Sequence, residues 1–154
     1  MLFRQLFDNT SSTYTYLLAD ETTRRAILID PVFEQAQRDM ALLRELNLTL
    51  ALVVDTHAHA DHVTAAWLLQ QKTSCQIASA KVIGAEHVNL PLEDGQIFGV
   101  DGIQLKALST PGHTNGCMSY VLEDQAMVFT GDTLLIRGCG RSDFQEGSAH
   151  NLFH

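Results

Sequence analysis

Apolar and polar positions alternate along the first thirty residues in a pattern that predicts a β-meander. Residues 2–7 and 13–18 have strand-like alternation on either side of a turn-rich stretch. A third apolar run, 26–29, ends at Asp30-Pro31, a pair that favours a turn. We therefore expect three short strands joined by tight connections.

The next segment changes from a strand period to a helix period. From Phe33 to Leu46, apolar residues recur at every third or fourth position, which predicts a helix with one buried face that stops at Asn47. The apolar run 48–54 then predicts a buried strand. A strand, a helix and a further strand in this order predict a crossover unit of an α/β fold.

The second half of the chain has shorter elements. We expect a short helix around Ala66, a strand at 76–79 and a loop that passes through Pro91 and Gly95. The later strands are predicted as an antiparallel run at 103–108, 118–122, 126–130 and 134–136, and a helix begins near Ala149. Phe33 and Trp67 are expected to pack in the core.

Composition limits the size and the partners of the protein. A chain of 154 residues, 45% of them hydrophobic, is long enough for one core, so we expect one domain over residues 1–154. The net charge of −8 disfavours nucleic acid and anionic membranes as partners. No apolar run is long enough to span a bilayer, and the first residues lack the pattern of a secretory signal, which predicts a cytoplasmic protein.

The cysteines do not form a paired pattern. Cys75, Cys117 and Cys139 are odd in number and widely spaced, so we expect reduced thiols rather than a disulfide framework. Cys117 is expected to be buried at the start of a strand. Cys139 lies between two glycines and is expected to have a structural role rather than to act as a nucleophile.

Ligand-type side chains concentrate in THAHADH, residues 56–62, directly after the buried strand at 48–54. Alternate residues of an extended segment face one side, so His57 and His59 can point together, with Asp61 and His62 on the next bend. In α/β sheets, sites form at the carboxyl ends of strands. Further such residues follow other predicted strands, namely His113 and Asp132. The pattern predicts a metal site assembled from distant segments.

This order of residues resembles the metallo-β-lactamase superfamily, in which HxHxDH is followed by a distant His and then an Asp. Here the motif is His57 to His62, followed by His113 and Asp132. The resemblance implies an α/β fold of the αββα sandwich type. Because the chain ends soon after its last predicted strand, we expect the second half of that fold to be truncated.

Three segments resemble the persulfide dioxygenases of that superfamily: THAHADH, STPGHTNGC and FTGDTLLIRGCGRSDFQEG. The resemblance implies one Fe(II) per chain, held by His57, His113 and Asp132 as a facial triad. It also implies oxidation of glutathione persulfide by O2 to sulfite and glutathione. Three further residues would then support the ligands from a second layer, or bind a second metal: His59, Asp61 and His62.

Glutathione is anionic, so an acidic protein needs a local positive charge to bind it. The stretch from Thr133 to Ser142 contains Arg137 and Arg141 and no acidic residue. We predict that Arg141 contacts a carboxylate of the substrate. An ion pair between Arg141 and Asp143 is the alternative, and Arg137 is expected to be structural.

Two other functions fit part of the same pattern. A thioesterase of the glyoxalase II type would hold two metals, such as zinc, with His57, His59 and His113 around one, Asp61 and His62 around the other, and Asp132 between them. The second alternative is an inactive fragment that serves as a binding or assembly module. In that case exposed apolar faces would favour a homodimer.

Overall fold

The structure is a computed structural model that describes residues 1–58, 64–143 and 147–152. The strands of its first sheet are β1 (Leu2–Asp8), β2 (Thr13–Ala19), β3 (Arg25–Ile29), β4 (Thr49–Val54), β5 (Gln76–Ala80) and β6 (Leu90–Leu92). The strands of its second sheet are β7 (Ile97–Val100), β8 (Ile103–Ser109), β9 (Met118–Leu122) and β10 (Val128–Phe129). The helices are α1 (Ala36–Glu45), α2 (Ala66–Thr73) and the single turn α3 (Ala149–Leu152).

The first sheet changes from antiparallel to parallel pairing at β3. β1, β2 and β3 form the predicted meander, and β3, β4, β5 and β6 then pair in parallel, in chain order. α1 connects β3 to β4 and α2 follows β4, so the carboxyl ends of β3 and β4 lie side by side. This edge is where the predicted metal-binding loop begins.

Two cores lie on opposite faces of the first sheet. Alternate residues point to opposite sides of a strand, so Leu18 and Ile27 face the second sheet while Leu17 and Leu28 face the helices. The first core is completed by Leu105 and Tyr120 from the second sheet, and the other by the buried faces of α1 and α2. Both sheets therefore share one central apolar layer.

The result is the predicted sandwich, with helices, sheet and sheet as successive layers. Within the described residues, the only helix after β10 is α3, and it is one turn long. The outer face of the second sheet accordingly exposes Ile97 and Val128. None of the described helices has the length and apolar character needed to cross a bilayer.

The sequence pattern did not predict two strands of the structure, and it predicted one strand where the described residues form a turn. β6 and β7 lie in the segment that was predicted to be a loop, and Pro91 sits within β6 at the edge of its sheet, where the missing N–H is tolerated. The strand predicted at 134–136 is wrong. Leu135 and Gly138 instead exchange two backbone hydrogen bonds around Arg137, whose φ of 61° closes a tight turn.

The core assignment of two aromatic residues is also wrong. Phe33 is 45% exposed and Trp67 is 51% exposed. Phe33 precedes α1 in a short 3-10 turn, so it lies outside the buried helical stripe to which the spacing assigned it. The three cysteines are free thiols, and Cys117 is buried immediately before β9, both as predicted.

The β1–β2 turn is held by one carboxylate. Asp8 accepts hydrogen bonds from the backbone N–H and hydroxyl of Ser11, at 2.8 and 2.7 Å, and from the side-chain amide of Gln35 at 2.8 Å. These hydrogen bonds, to the Ser11 hydroxyl first, lower the pKa of Asp8 to about 2. Since the folded-state pKa lies below the unfolded value of about 3.9, the ionised carboxylate stabilises the fold above about pH 4, and this contribution is lost as the pH falls toward 2.

We expect Asp8→Asn to lower the urea midpoint at pH 7, and the difference from the wild type to shrink as the pH falls below about 4. Urea titrations from pH 7 to pH 3, followed by circular dichroism, measure this. Glu45→Gln removes an exposed carboxylate of α1 and serves as the matched control, with an unchanged midpoint. A difference that is the same at every pH would contradict the assignment.

Candidate metal centre

Three of the predicted ligands converge at the edge where the two sheets meet. The ligand atoms of His57, His113 and Asp132 all lie within 4.8 Å of one another. The Nε2 atom of His113 is 3.2 Å from Oδ2 of Asp132, and that of His57 is 3.8 Å from the same oxygen. The two imidazole rings stand nearly perpendicular, with centroids 4.9 Å apart. Residues far apart in sequence thus form one cluster of two nitrogens and one oxygen.

His57 is oriented by a hydrogen-bond chain that begins at Asp30. The Asp30 carboxylate accepts a hydrogen bond from the Thr56 hydroxyl at 2.8 Å and one from the Thr56 backbone N–H at 2.7 Å. The same hydroxyl is 2.8 Å from Nδ1 of His57. Because a hydroxyl has one hydrogen and Thr56 gives it to Asp30, Nδ1 of His57 must be the donor in that contact. The Nε2 atom of His57 is then the ring nitrogen through which a metal would bind.

The Nδ1 atom of His113 is also held by a hydrogen bond, but to a different partner. Its Nδ1 atom is 2.6 Å from the backbone carbonyl oxygen of Arg141, which can only accept a hydrogen bond. Nδ1 of His113 therefore carries a proton, and Nε2 is directed toward Asp132. Both histidines are buried, at 3% and 7% exposure. Hydrogen bonds at Nδ1 orient both rings as they orient histidine ligands in metal sites.

Asp132 lies in the turn after β10 and is the accessible member of the cluster, with its side chain 40% exposed. The turn begins at Gly131, whose φ is 51°, a left-handed conformation that favours glycine. A Cβ atom at this position would lie 2.4 Å from the hydroxyl oxygen of Thr56. Gly131 thus brings the Asp132 turn against the residue that orients His57.

A second glycine provides the close approach around His113. A Cβ atom on Gly140 would be 2.7 Å from Nδ1 of His113 and 2.6 Å from the backbone oxygen of Asp132. The backbone N–H of Gly140 also donates to that oxygen of Asp132. The segment from Gly138 to Arg141 can therefore bring its carbonyl to His113 only because residue 140 lacks a side chain.

The loop that carries His113 is supported by a buried thiol. The backbone N–H of Thr114 donates to Sγ of Cys117 at 3.2 Å, and the Thr114 hydroxyl is 3.1 Å from the same sulfur. Burial raises the pKa of the Cys117 thiol, so it stays protonated near neutral pH. A protonated, buried thiol is a poor nucleophile, and Cys117 stabilises the loop.

The other predicted site residues divide into those that lie outside the described part of the chain and Arg141, which is described. His59, Asp61 and His62 lie outside the described residues. The Arg141 guanidinium forms an ion pair with Asp143, at 2.7 and 3.0 Å, and its side chain is 64% exposed. The contribution of Arg141 to the cluster is its backbone carbonyl, which side-chain chemistry does not reveal. Cys139 is a partly buried free thiol.

Sequence reasoning missed Asp30, Thr56, Gly131 and Gly140. The signal for Asp30 was present, since an acidic residue directly follows a buried strand that pairs in parallel with the strand before His57. Its backbone N–H donates to Val54 at 2.9 Å, which places Asp30 beside Thr56. The glycines left no such signal, because their role depends on approaches between distant segments.

The donor set fits a divalent first-row transition metal. Imidazole nitrogens and a carboxylate oxygen suit iron, zinc and related ions, and bond lengths near 2.1 Å place neighbouring ligand atoms about 3.0 to 3.4 Å apart. The distance between His113 and Asp132 lies in that range, while that between His57 and Asp132 is slightly wider. The cluster therefore has the donor set of a candidate metal centre.

We expect Thr56→Val to weaken metal binding by about 10- to 100-fold, because loss of the hydroxyl removes the acceptor that orients His57. Thr56→Ser keeps the hydroxyl and is the matched control, with near wild-type affinity. Competition between the protein and a fluorescent chelator for Co2+ measures both constants. Equal metal affinities in the two variants would show that the hydrogen bonds from Asp30 through Thr56 do not orient His57.

The chain is similar to known proteins in both sequence and structure. The bovine protein named persulfide dioxygenase ETHE1, mitochondrial (Bos taurus), is 49% identical over 155 residues, covering 100% of this chain and 61% of that protein. The crystal structure of ETHE1 from Myxococcus xanthus superimposes with a TM-score of 0.95 at 51% identity and covers 99% of this chain and 67% of that one. A hydroxyacylglutathione hydrolase of Rhodopseudomonas palustris is 35% identical over 139 residues, covering 89% of this chain and 54% of that protein.

These relatives agree with the resemblance found in the sequence. The chain spans about three fifths of the length of the bovine relative that it matches. The similarity to the persulfide dioxygenases exceeds that to the hydrolase in both identity and coverage. The pattern of the metallo-beta-lactamase superfamily matches residues 8–154. Since that match includes nearly the whole chain and every described residue of the metal centre, this chain belongs to the metallo-beta-lactamase superfamily.

Proposed function

We propose that this chain is the metal-binding part of an iron-dependent persulfide dioxygenase that acts on glutathione persulfide. The reaction is GSSH + O2 + H2O → GSH + SO3²⁻ + 2 H⁺, where GSH is glutathione. The terminal sulfur is oxidised, both atoms of O2 are incorporated, and water supplies the third oxygen of sulfite. Support comes from the 49% identity to the bovine persulfide dioxygenase over the full length of this chain.

The observation that carries the proposal is the pairing of two Nδ1-protonated histidines with one carboxylate. A set of His57, His113 and Asp132 is a facial triad, which leaves open positions on a bound ion for both a sulfur and O2. Bound Fe(II) supplies the electron transfer to O2 that side chains cannot perform. The protein holds the ligands with their Nε2 lone pairs directed inward, and it does so through Thr56 and the carbonyl of Arg141.

The cleft beside the triad is suited to a polar substrate of peptide size. It has a volume of about 470 Å³ and runs between the β1–β2 turn and residues 130–136. Hydroxyl groups of the turn form one wall, and Leu134 to Ile136 form an apolar rim on the other. A glutathione moiety in this cleft would place its sulfur near Asp132, the accessible ligand.

Several finer assignments belong to the same proposal. We propose that Arg141 contacts a substrate carboxylate after exchanging its partner Asp143 for the ligand. We also propose that His59, Asp61 and His62 support the ligands by hydrogen bonds. The location is proposed to be cytoplasmic, although the bovine relative is named as mitochondrial. A homodimer and the absence of nucleic-acid partners are part of the proposal as well.

Metal content separates this proposal from the dinuclear alternative. We expect about one iron per chain after anaerobic purification, measured by inductively coupled plasma mass spectrometry. Removal of the iron with a chelator should abolish oxygen consumption, and Fe(II) should restore it. Two zinc ions per chain without iron would contradict the dioxygenase and favour a hydrolase with two metals.

Oxygen uptake tests the assigned ligands directly. With glutathione persulfide as the substrate, we expect His113→Ala and Asp132→Ala each to lower kcat/KM by at least about 10³-fold, since removing a ligand removes the metal or its open geometry. Asp124→Ala changes an exposed residue of the same type as Asp132 and should retain the wild-type rate. Unchanged uptake in both ligand variants would exclude the triad. Hydrolysis of S-lactoylglutathione at a comparable rate would instead support a thioesterase.

A further inference from the structure

Two separate clefts meet at His57. The first is the polar cleft of about 470 Å³ that contains Asp132. The second has a volume of about 380 Å³ and lies between α2, the end of β5 and residues 83–88. Among the described residues, His57 is the only one that lines both clefts. His57 thus lies between the two clefts.

The two clefts differ in their chemical character. Aliphatic side chains form most of the wall of the second cleft, including Ile77, Ile83 and Val88. The polar residues of its wall are Asp55, His57, Thr64, Ser79 and Glu86. The Asp55 carboxylate accepts a hydrogen bond from the Thr64 hydroxyl at 2.9 Å. The outer end is marked by Trp67, which the sequence assigned to the core but which is half exposed. An exposed tryptophan beside aliphatic walls makes this entrance apolar.

We propose that the second cleft admits O2 to the metal centre, while the first cleft holds the persulfide. This inference rests on the proposed function, which requires two substrates of opposite character. A glutathione persulfide seated in the first cleft would cover the accessible side of Asp132 and block that approach. O2 is small and apolar, and apolar cavities of proteins take up such molecules readily. A route that remains open after glutathione persulfide has bound allows O2 to bind second.

Narrowing the entrance tests the proposal without changing the ligands. Ala85 lines the second cleft and is exposed, so a larger side chain can be placed there without disturbing the core. We expect Ala85→Phe to lower kcat/KM for O2 by about fivefold or more and to leave kcat/KM for glutathione persulfide within about twofold of the wild type. Ala126→Phe, in the exposed turn before β10, is the matched control and should change neither constant.

Xenon provides a readout that does not depend on activity. Crystals of the wild type under xenon pressure should show the gas in the second cleft, as in other apolar protein cavities, and crystals of Ala85→Phe should lack it. An empty second cleft in the wild type overturns the inference. So does an unchanged kcat/KM for O2 in Ala85→Phe, or an equal loss for both substrates.

The outcome for the wild type separates the two proposals. If the wild type consumes no O2 with glutathione persulfide, the proposed function fails, and the O2 route fails with it. If the wild type is active and Ala85→Phe has the same oxygen dependence, the O2 route alone is wrong. A selective loss of kcat/KM for O2 in Ala85→Phe, together with loss of xenon from its second cleft, supports both the proposed function and the O2 route.

Discussion

The geometry of the candidate metal centre depends on the hydrogen bonds that the buried Asp30 carboxylate accepts. The carboxylate holds Thr56 through two hydrogen bonds, and Thr56 in turn fixes the tautomer of His57. Asp30 itself has a φ of 52°, and its backbone carbonyl accepts a hydrogen bond from the Thr15 hydroxyl of β2. Without its hydroxyl and amide partners, a buried carboxylate would be costly to maintain. The orientation of the first ligand is thus built into the edge of the parallel sheet.

The rest of the centre is built from backbone approaches rather than from side-chain charge. Gly131 allows the Asp132 turn to touch Thr56, and Gly140 allows the Arg141 carbonyl to reach His113. Carbonyl and hydroxyl partners hold Nδ1 of both histidines, so Nε2 is the ring nitrogen through which each would bind a metal. The one carboxylate of the triad stays partly exposed beside the polar cleft. The site is therefore rigid on the histidine side and open on the aspartate side.

Much of the fold could be predicted because its strands and its first helix follow regular hydrophobic periods. The strands around 13–18, 26–29 and 48–54 were visible as alternating or continuous apolar runs, and the helix ending at Asn47 was visible as a period of three to four. β6 contains a proline and β7 is short, so neither has a clear pattern. Leu134 to Ile136 have a strand-like composition, but no neighbouring strand pairs with them along their length.

The three side chains of the cluster were predictable, whereas the residues that orient them were not. Histidines and aspartates are recognised by type, and their place after strands gave the convergence of His57, His113 and Asp132. The role of Thr56 depends on a carboxylate 26 residues away, and that of Arg141 on its carbonyl rather than its guanidinium. Such contacts depend on how two loops pack in three dimensions, and a pattern of residue types contains no information on that packing.

The spread of these contacts along the chain has a consequence for the order of folding. The centre requires β3, β4, the loop after β8 and the turn after β10 to be in place together, and contacts between such distant segments form late because long loops must close first. In a partly folded chain, single histidines can bind an ion, but the two histidines and the aspartate are not yet held together in the required orientation. An ion that binds only the oriented set stabilises only the completed sandwich. A bound metal ion would then be retained only by molecules that have finished folding.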